Sequence, residues 1–137
     1  MRISAFTVAL TVDDVPASRD FLINHFGFRE AMSADGFVSL GRDGAGLNIV
    51  YLRRGIEVLP ESVREQTAQG VIIAFTVADA NAEASRLQAE GVPISLPMRD
   101  EPWGERLFQV ADNNGIAFEI VEWLAGSGQE SAPAAVV

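Results

Sequence analysis

Residues 8–14 read VALTVDD and residues 73–79 read IAFTVAD. The two stretches lie 65 positions apart (73 less 8), close to half of the 137-residue chain. A self-similar period on this scale is an architectural signal, read before any local motif. Both stretches alternate as strands do. Val8, Leu10 and Val12 fall on one face, with Thr7, Ala9 and Thr11 on the other; Ile73, Phe75 and Val77 likewise oppose Ile72, Ala74 and Thr76. Each stretch then meets an aspartate suited to cap a helix, Asp14 and Asp79, and the first helix carries Pro16 in its opening turn, where a missing N–H is harmless. The first helix sets Val15, Leu22 and Phe26 on one stripe with Phe21 beside it, and a glycine closes each helix, Gly27 and Gly91.

Working outward, the first strand is expected over 3–12 and its counterpart over 71–78. Gly and Asp clusters punctuate three further strands in each half, near 28–32, 36–41 and 46–53, and near 92–97, 103–111 and 116–123. Asp112-Asn113-Asn114-Gly115 reads as a hairpin turn, with Gly115 at the left-handed position of a type I turn plus bulge. That turn sets Gln109 opposite Glu119. The fold class is therefore α+β, two βαβββ modules in one domain over 1–124. Module 1 covers about 3–53, a linker about 54–70 and module 2 about 71–124. PESVREQ within the linker suits a short helix. Residues 125–137, rich in Gly, Ser, Ala and Pro, are expected to form a flexible tail.

Composition narrows the function classes. There is no Cys, which excludes thiolate catalysis, Cys-ligated zinc and disulfides and agrees with a cytoplasmic location. No apolar run approaches the roughly 20 residues of a membrane span. The N-terminus alternates and shows no small-residue cleavage site, so it reads as a strand. The net charge of −9, from 19 acidic and 10 basic residues, repels nucleic acid and favours cationic or neutral small ligands. GRDGAG at 41–46 joins two strands and opens no helix, so it is no phosphate loop. There is no GxSxG elbow, and the one histidine, His25, sits in the first helix, away from any triad partner.

TVALTVDDVPAS at 7–18, IIAFTVADANAEASRL at 72–87 and WGERLFQVADNNGIAFEIVEW at 103–123 resemble the vicinal oxygen chelate superfamily, which includes glyoxalase I, extradiol dioxygenases and bleomycin-resistance proteins. The third stretch is similar to that family's closing hairpin. The resemblance covers about residues 3–124. It implies curled mixed sheets around a cavity, with the helices outside. It also implies four metal-ligand positions in the enzymes, which map here to Thr7, Asn48, Ile72 and Glu119. One hydroxyl, one amide, one alkyl group and one carboxylate make a poor donor set for a catalytic divalent ion. The resemblance therefore shifts to the bleomycin-resistance-like branch, with no metal, no cofactor and no catalytic residue, and with homodimeric assembly.

Ligand contacts are expected from Trp103, Glu119, Asn48, Gln109, Thr7 and Ile72, with Ala9, Val50, Ala74 and Ala117 as small or apolar walls. Glu119 is either a ligand-binding carboxylate, a base strengthened by desolvation, or a structural group bonded to Gln109 and Asn48. Trp103 offers a flat indole for stacking, or else covers a strand end; Trp123 suits packing or an interface. Arg106 suits a surface ion pair. The leading expectation is a metal-free protein that sequesters an aromatic or cationic compound in a groove. The alternatives are an isomerase- or lyase-type enzyme using Glu119, and a dimeric accessory protein with a vestigial cavity.

Overall fold

Asp14 and Asp79 start the two helices as capping chemistry requires. Asp14 Oδ1 accepts from the Ala17 N–H at 3.0 Å, and Asp79 Oδ1 accepts from the Ala82 N–H at 3.0 Å. Each cap therefore satisfies one of the amides that the first turn leaves without a helical partner. The helices that follow are α1 (Val15–Phe26) and α2 (Ala80–Ala89). Gly27 (φ 70°) and Gly91 (φ 84°) end them in the left-handed conformation, which a side chain would strain.

The computed structural model describes residues 1–124 and divides into two units, Met1–Gln69 and Gly70 onward. In the first unit β1 (Thr7–Val12) precedes α1, and β2 (Arg29–Ala34), β3 (Phe37–Gly41) and β4 (Asn48–Arg53) follow it. Its sheet has the order β1-β4-β3-β2, with β1 parallel to β4 and the other pairs antiparallel. In the second unit β5 (Ile72–Thr76) precedes α2, and β6 (Ile94–Asp100), β7 (Glu105–Ala111) and β8 (Ala117–Trp123) follow it. The order is β5-β8-β7-β6, again with the first and last strands parallel. The expected βαβββ repeat is the observed architecture.

One face of each sheet makes the core. Leu10, Val12, Val38, Leu40, Ile49 and Tyr51 are buried with Leu22 of α1. Ile73, Phe108, Val110, Phe118 and Ile120 are buried with Leu87 of α2. Strand alternation alone selects these faces, and burying each large side chain contributes about 1.5–3 kcal/mol. A carboxylate distant in sequence secures the second helix further: Glu122 Oε1 accepts from the Ala80 N–H at 3.0 Å.

Two expectations change. The first strand begins at Thr7 rather than residue 3, and Met1, Ile3 and Phe6 are exposed. PESVREQ forms hydrogen-bonded turns instead of a helix. Val63 N–H donates to Pro60 O at 3.0 Å, and Gln66 N–H donates to Val63 O at 3.0 Å. The Arg64 guanidinium ties the segment to the carbonyls of Leu59 and Glu57, a geometry that a continued helix would break. The linker also packs within the first unit, since Arg54 N–H donates to Val12 O and Ala68 N–H to Thr11 O. The tail expected at 125–137 lies outside the described residues. Among the described residues no helix is long and apolar enough to cross a membrane.

Candidate functional site

The sheet face opposite α2 carries the chemistry of the second unit. Asp112 builds the turn that fixes its register. Its Oδ1 accepts from the N–H groups of Asn114 at 2.8 Å and Ile116 at 3.0 Å, and Gly115 N–H donates to Asp112 O at 3.1 Å. Strands β7 and β8 then pair without a shift from Ala111↔Ala117 to Glu105↔Trp123, and Gln109 falls opposite Glu119 as the turn chemistry predicts. Gln109 Nε2 donates to Glu119 Oε1 at 2.9 Å, with both side chains part-buried.

Neighbouring strands complete the row Ala74–Glu119–Gln109–Leu96. On one side lies the row Ile72–Ala117–Ala111, and on the other Thr76–Val121–Leu107. Ile72 is 59% exposed, whereas Leu107 and Val121 are buried. The surface is thus a carboxylate–amide pair with an alkyl row on one side and, on the other, the exposed Thr76 hydroxyl beside the buried Val121 and Leu107. It can offer hydrogen-bond acceptors in a mostly apolar setting, the usual composition of a small-molecule site.

Trp103 sits in the turn before β7, 52% exposed, and its Nε1 donates to Glu105 Oε1 at 3.1 Å. Glu105 pairs with Trp123 at the far end of the same face. Four residues of β8 separate Trp123 from Glu119, about 13 Å at 3.3 Å per residue. The buried Val121–Leu107 row lies between. Glu119 and Gln109 are brought together, with Ile72 one row away; Trp103 is not gathered with them.

In the first unit the corresponding face carries Thr7 beside Asn48, then the row Ala9–Val50–Ser39–Met32. Thr7 and Asn48 are both exposed. The register corrects one sequence-based assignment. Ala9 and Ala74 are 65 positions apart, so they are equivalent in the repeat; Ala9 pairs with Val50 and Ala74 with Glu119. Val50, not Asn48, is therefore the counterpart of Glu119. Mapping by local motifs had pointed to Asn48, but the parallel pairing decides the position. Taken unit by unit, the paired first and last strands offer a hydroxyl and an alkyl group in the first, from Thr7 and Val50, and an alkyl group and one amide-bonded carboxylate in the second, from Ile72 and Glu119. Among the described residues no group of three or more His, Cys, Asp or Glu side chains gathers to hold a metal.

The remaining candidates have structural partners. Arg106 forms a two-pronged ion pair with Asp100, at 2.8 and 3.0 Å. His25 lies in the last turn of α1, edge-on to Phe21 with ring centroids 5.5 Å apart. Glu122 is the residue that sequence reasoning missed, and Val50, expected only as a wall, takes the position that had been given to Asn48. The repeat offset, carried through strand pairing, identifies Val50; nothing local in the sequence announces the reach of Glu122 to α2.

Residues 4–120 match the profile of the glyoxalase/bleomycin resistance protein/dioxygenase superfamily. No curated protein matches the chain. Several solved structures share its fold. TioX from Micromonospora sp. ML1 is 27% identical, over 88% of this chain and 99% of its own, with a TM-score of 0.67. TnmS3, an antibiotic-binding protein from Streptomyces sp. CB03234, is 21% identical over 89% and 98%, with a TM-score of 0.69. Lactoylglutathione lyase from Agrobacterium tumefaciens is 19% identical over 93% and 97%, with a TM-score of 0.70. A profile match over most of the length, on a repeated βαβββ framework, places the family: the chain belongs to the glyoxalase/bleomycin resistance protein/dioxygenase superfamily.

Proposed function

We infer that the chain is a metal-free small-molecule-binding protein that sequesters an aromatic or cationic compound and leaves it chemically unchanged. One observation carries this reading: the Glu119–Gln109 pair lies beside the alkyl row Ile72–Ala117–Ala111 on the sheet face opposite α2. The alkyl row holds a flat body by area, and the carboxylate fixes a donor or a positive charge. The family contains both binding proteins and enzymes, and the fold is shared by TnmS3 and by lactoylglutathione lyase alike. The donor set favours the binding reading. A metal enzyme needs at least three good ligands, and the mapped positions hold Thr7, Val50, Ile72 and Glu119. The reading places the protein in the cytoplasm as a homodimer, which would cover the unpaired sheet edges.

Fluorescent anthracenes test the reading. Purified protein should bind 9-(aminomethyl)anthracene, and the compound should be recovered intact after prolonged incubation. Turnover of such a compound, lost in Glu119→Ala, would favour the enzyme instead. Micromolar affinity for zinc, nickel or iron, abolished by Glu119→Ala, would overturn the metal-free assignment. Light scattering should report a dimer; only a monomer near 14.7 kDa contradicts that part.

A further inference from the structure

We propose that Gln109 sets the ligand specificity of this face: by holding one oxygen of Glu119 it presents a pair of acceptors that selects a flat apolar compound bearing a protonated primary amine. The proposal rests on the reading of the face as the ligand site and names the chemical class it takes.

An ionised carboxylate only accepts hydrogen bonds. The amide facing Glu119 must therefore offer nitrogen, and Nε2 does so at 2.9 Å. Chemistry fixes the amide's sense here, since the flipped amide would set oxygen against oxygen. Gln109 Oε1 is thus the atom turned away from the carboxylate. Among the described residues of this unit, no other side-chain hydrogen bond reaches Glu119 Oε2 or Gln109 Oε1. Two acceptors on directly opposed residues remain for a ligand. The cross-strand distance between such residues is about 4.5–5.5 Å, within the span of one group carrying several N–H donors.

A primary ammonium has three donors and a full positive charge, so it serves both acceptors at once. An alcohol has one donor and no charge. A carboxylate ligand meets only acceptors and is repelled. On one flank Ile72, Ala117 and Ala111 add no donor side chain, and on the other the Thr76 hydroxyl supplies one donor without charge, too little to offset the repulsion of an anion by Glu119. The overall charge of −9 acts in the same direction at long range. Gln109 is a positioning residue in this scheme. It shares one carboxylate oxygen and so restricts the rotation of Glu119, and it supplies the second acceptor.

Three matched probes decide the matter: 9-(aminomethyl)anthracene, 9-(hydroxymethyl)anthracene and 9-anthracenecarboxylate, titrated by fluorescence at pH 7. Wild type should prefer the amine to the alcohol at least tenfold and bind the carboxylate weakest. Gln109→Met keeps a similar shape and removes both the donor and the second acceptor. It should reduce the amine-to-alcohol preference about fivefold, by weakening the amine more than the alcohol, while leaving the thermal midpoint nearly unchanged. A merely structural glutamine would instead move the midpoint or all three affinities together. If Gln109→Met does not fold, Gln109→Ala gives the same readout with a smaller side chain. Equal binding of amine and alcohol by wild type, or an unchanged preference in the folded variant, overturns the role of Gln109 while the binding reading stands. Failure of wild type to bind any of the three overturns both.

Discussion

The two units share a scaffold and differ on one face. Strand order, parallel first-to-last pairing, capping aspartate and terminal glycine recur in both. The faces opposite the helices differ in polarity, row by row. Where the first unit places Thr7 beside Asn48, the second places Ile72 beside Ala117. Where the first places Val50 beside Ser39, the second places Glu119 beside Gln109. Folding constrains caps, helix ends and buried faces, because each carries a stability cost of its own. The outer rows carry no such requirement, and there the halves have taken different chemistry.

The largest expected effect tests the shared part. Leu22 and Leu87 are 65 positions apart and each is fully buried. Leu22→Ala and Leu87→Ala should each cost about 2–5 kcal/mol, measured by urea unfolding. A near-silent result at one of them would break the equivalence of the two cores.

Next comes the differing row. Glu119→Val makes the second unit resemble the first and should weaken 9-(aminomethyl)anthracene tenfold or more, since a hydrogen bond to a charged group is worth about 1.5–3 kcal/mol. Val50→Glu should not restore the loss in that background, because Ser39 rather than glutamine stands opposite Val50. Restoration would mean that either face serves equally. Trp103→Ala should weaken the same probe less than Glu119→Val does, given the buried row between them. The reverse order would move the site toward the turn before β7.

The helix caps offer a smaller contrast. Asp14→Ala should cost about 1 kcal/mol. Asp79→Ala should cost less, since Glu122 still accepts from the first turn of α2. Equal losses would remove the role given to Glu122.

The smallest effect concerns two of the surface ion pairs. Hydrogen bonds from Arg53 hold the Asp35 carboxyl below its ordinary value of 3.8, and those from Arg106 do the same for Asp100. A carboxylate with a depressed folded value contributes stability that is complete above its unfolded value and is lost as pH falls through the folded one. The thermal midpoint should therefore fall slightly more steeply below pH 3.8 in wild type than in Asp35→Asn or Asp100→Asn. Exposure keeps either contribution small.

The sequence made the fold legible because repeat, alternation and capping all follow local rules. It reached as far as the Gln109–Glu119 pairing, since the Asp112–Gly115 turn sets a register by its own chemistry. It named Val50 as a wall but not as the counterpart of Glu119. That assignment needs the parallel β1–β4 pairing, which no turn determines and which the intervening strands decide. Trp103 bonds to Glu105, across the buried Val121–Leu107 row from Glu119, an arrangement that proximity in sequence to β7 does not announce. The PESVREQ helix was misread because helical propensity gave way to the carbonyl contacts of Arg64.

The placement of the ligand on the second unit is the central claim, and amide chemical-shift mapping tests it most directly. Isotope-labelled protein titrated with 9-(aminomethyl)anthracene should show its largest shifts at Ile72, Ala74, Gln109, Ala117 and Glu119, and Glu119→Val should abolish them. Saturable binding with its largest shifts at Val38, Ser39, Met32 and Val50, unaffected by Glu119→Val, would contradict the account.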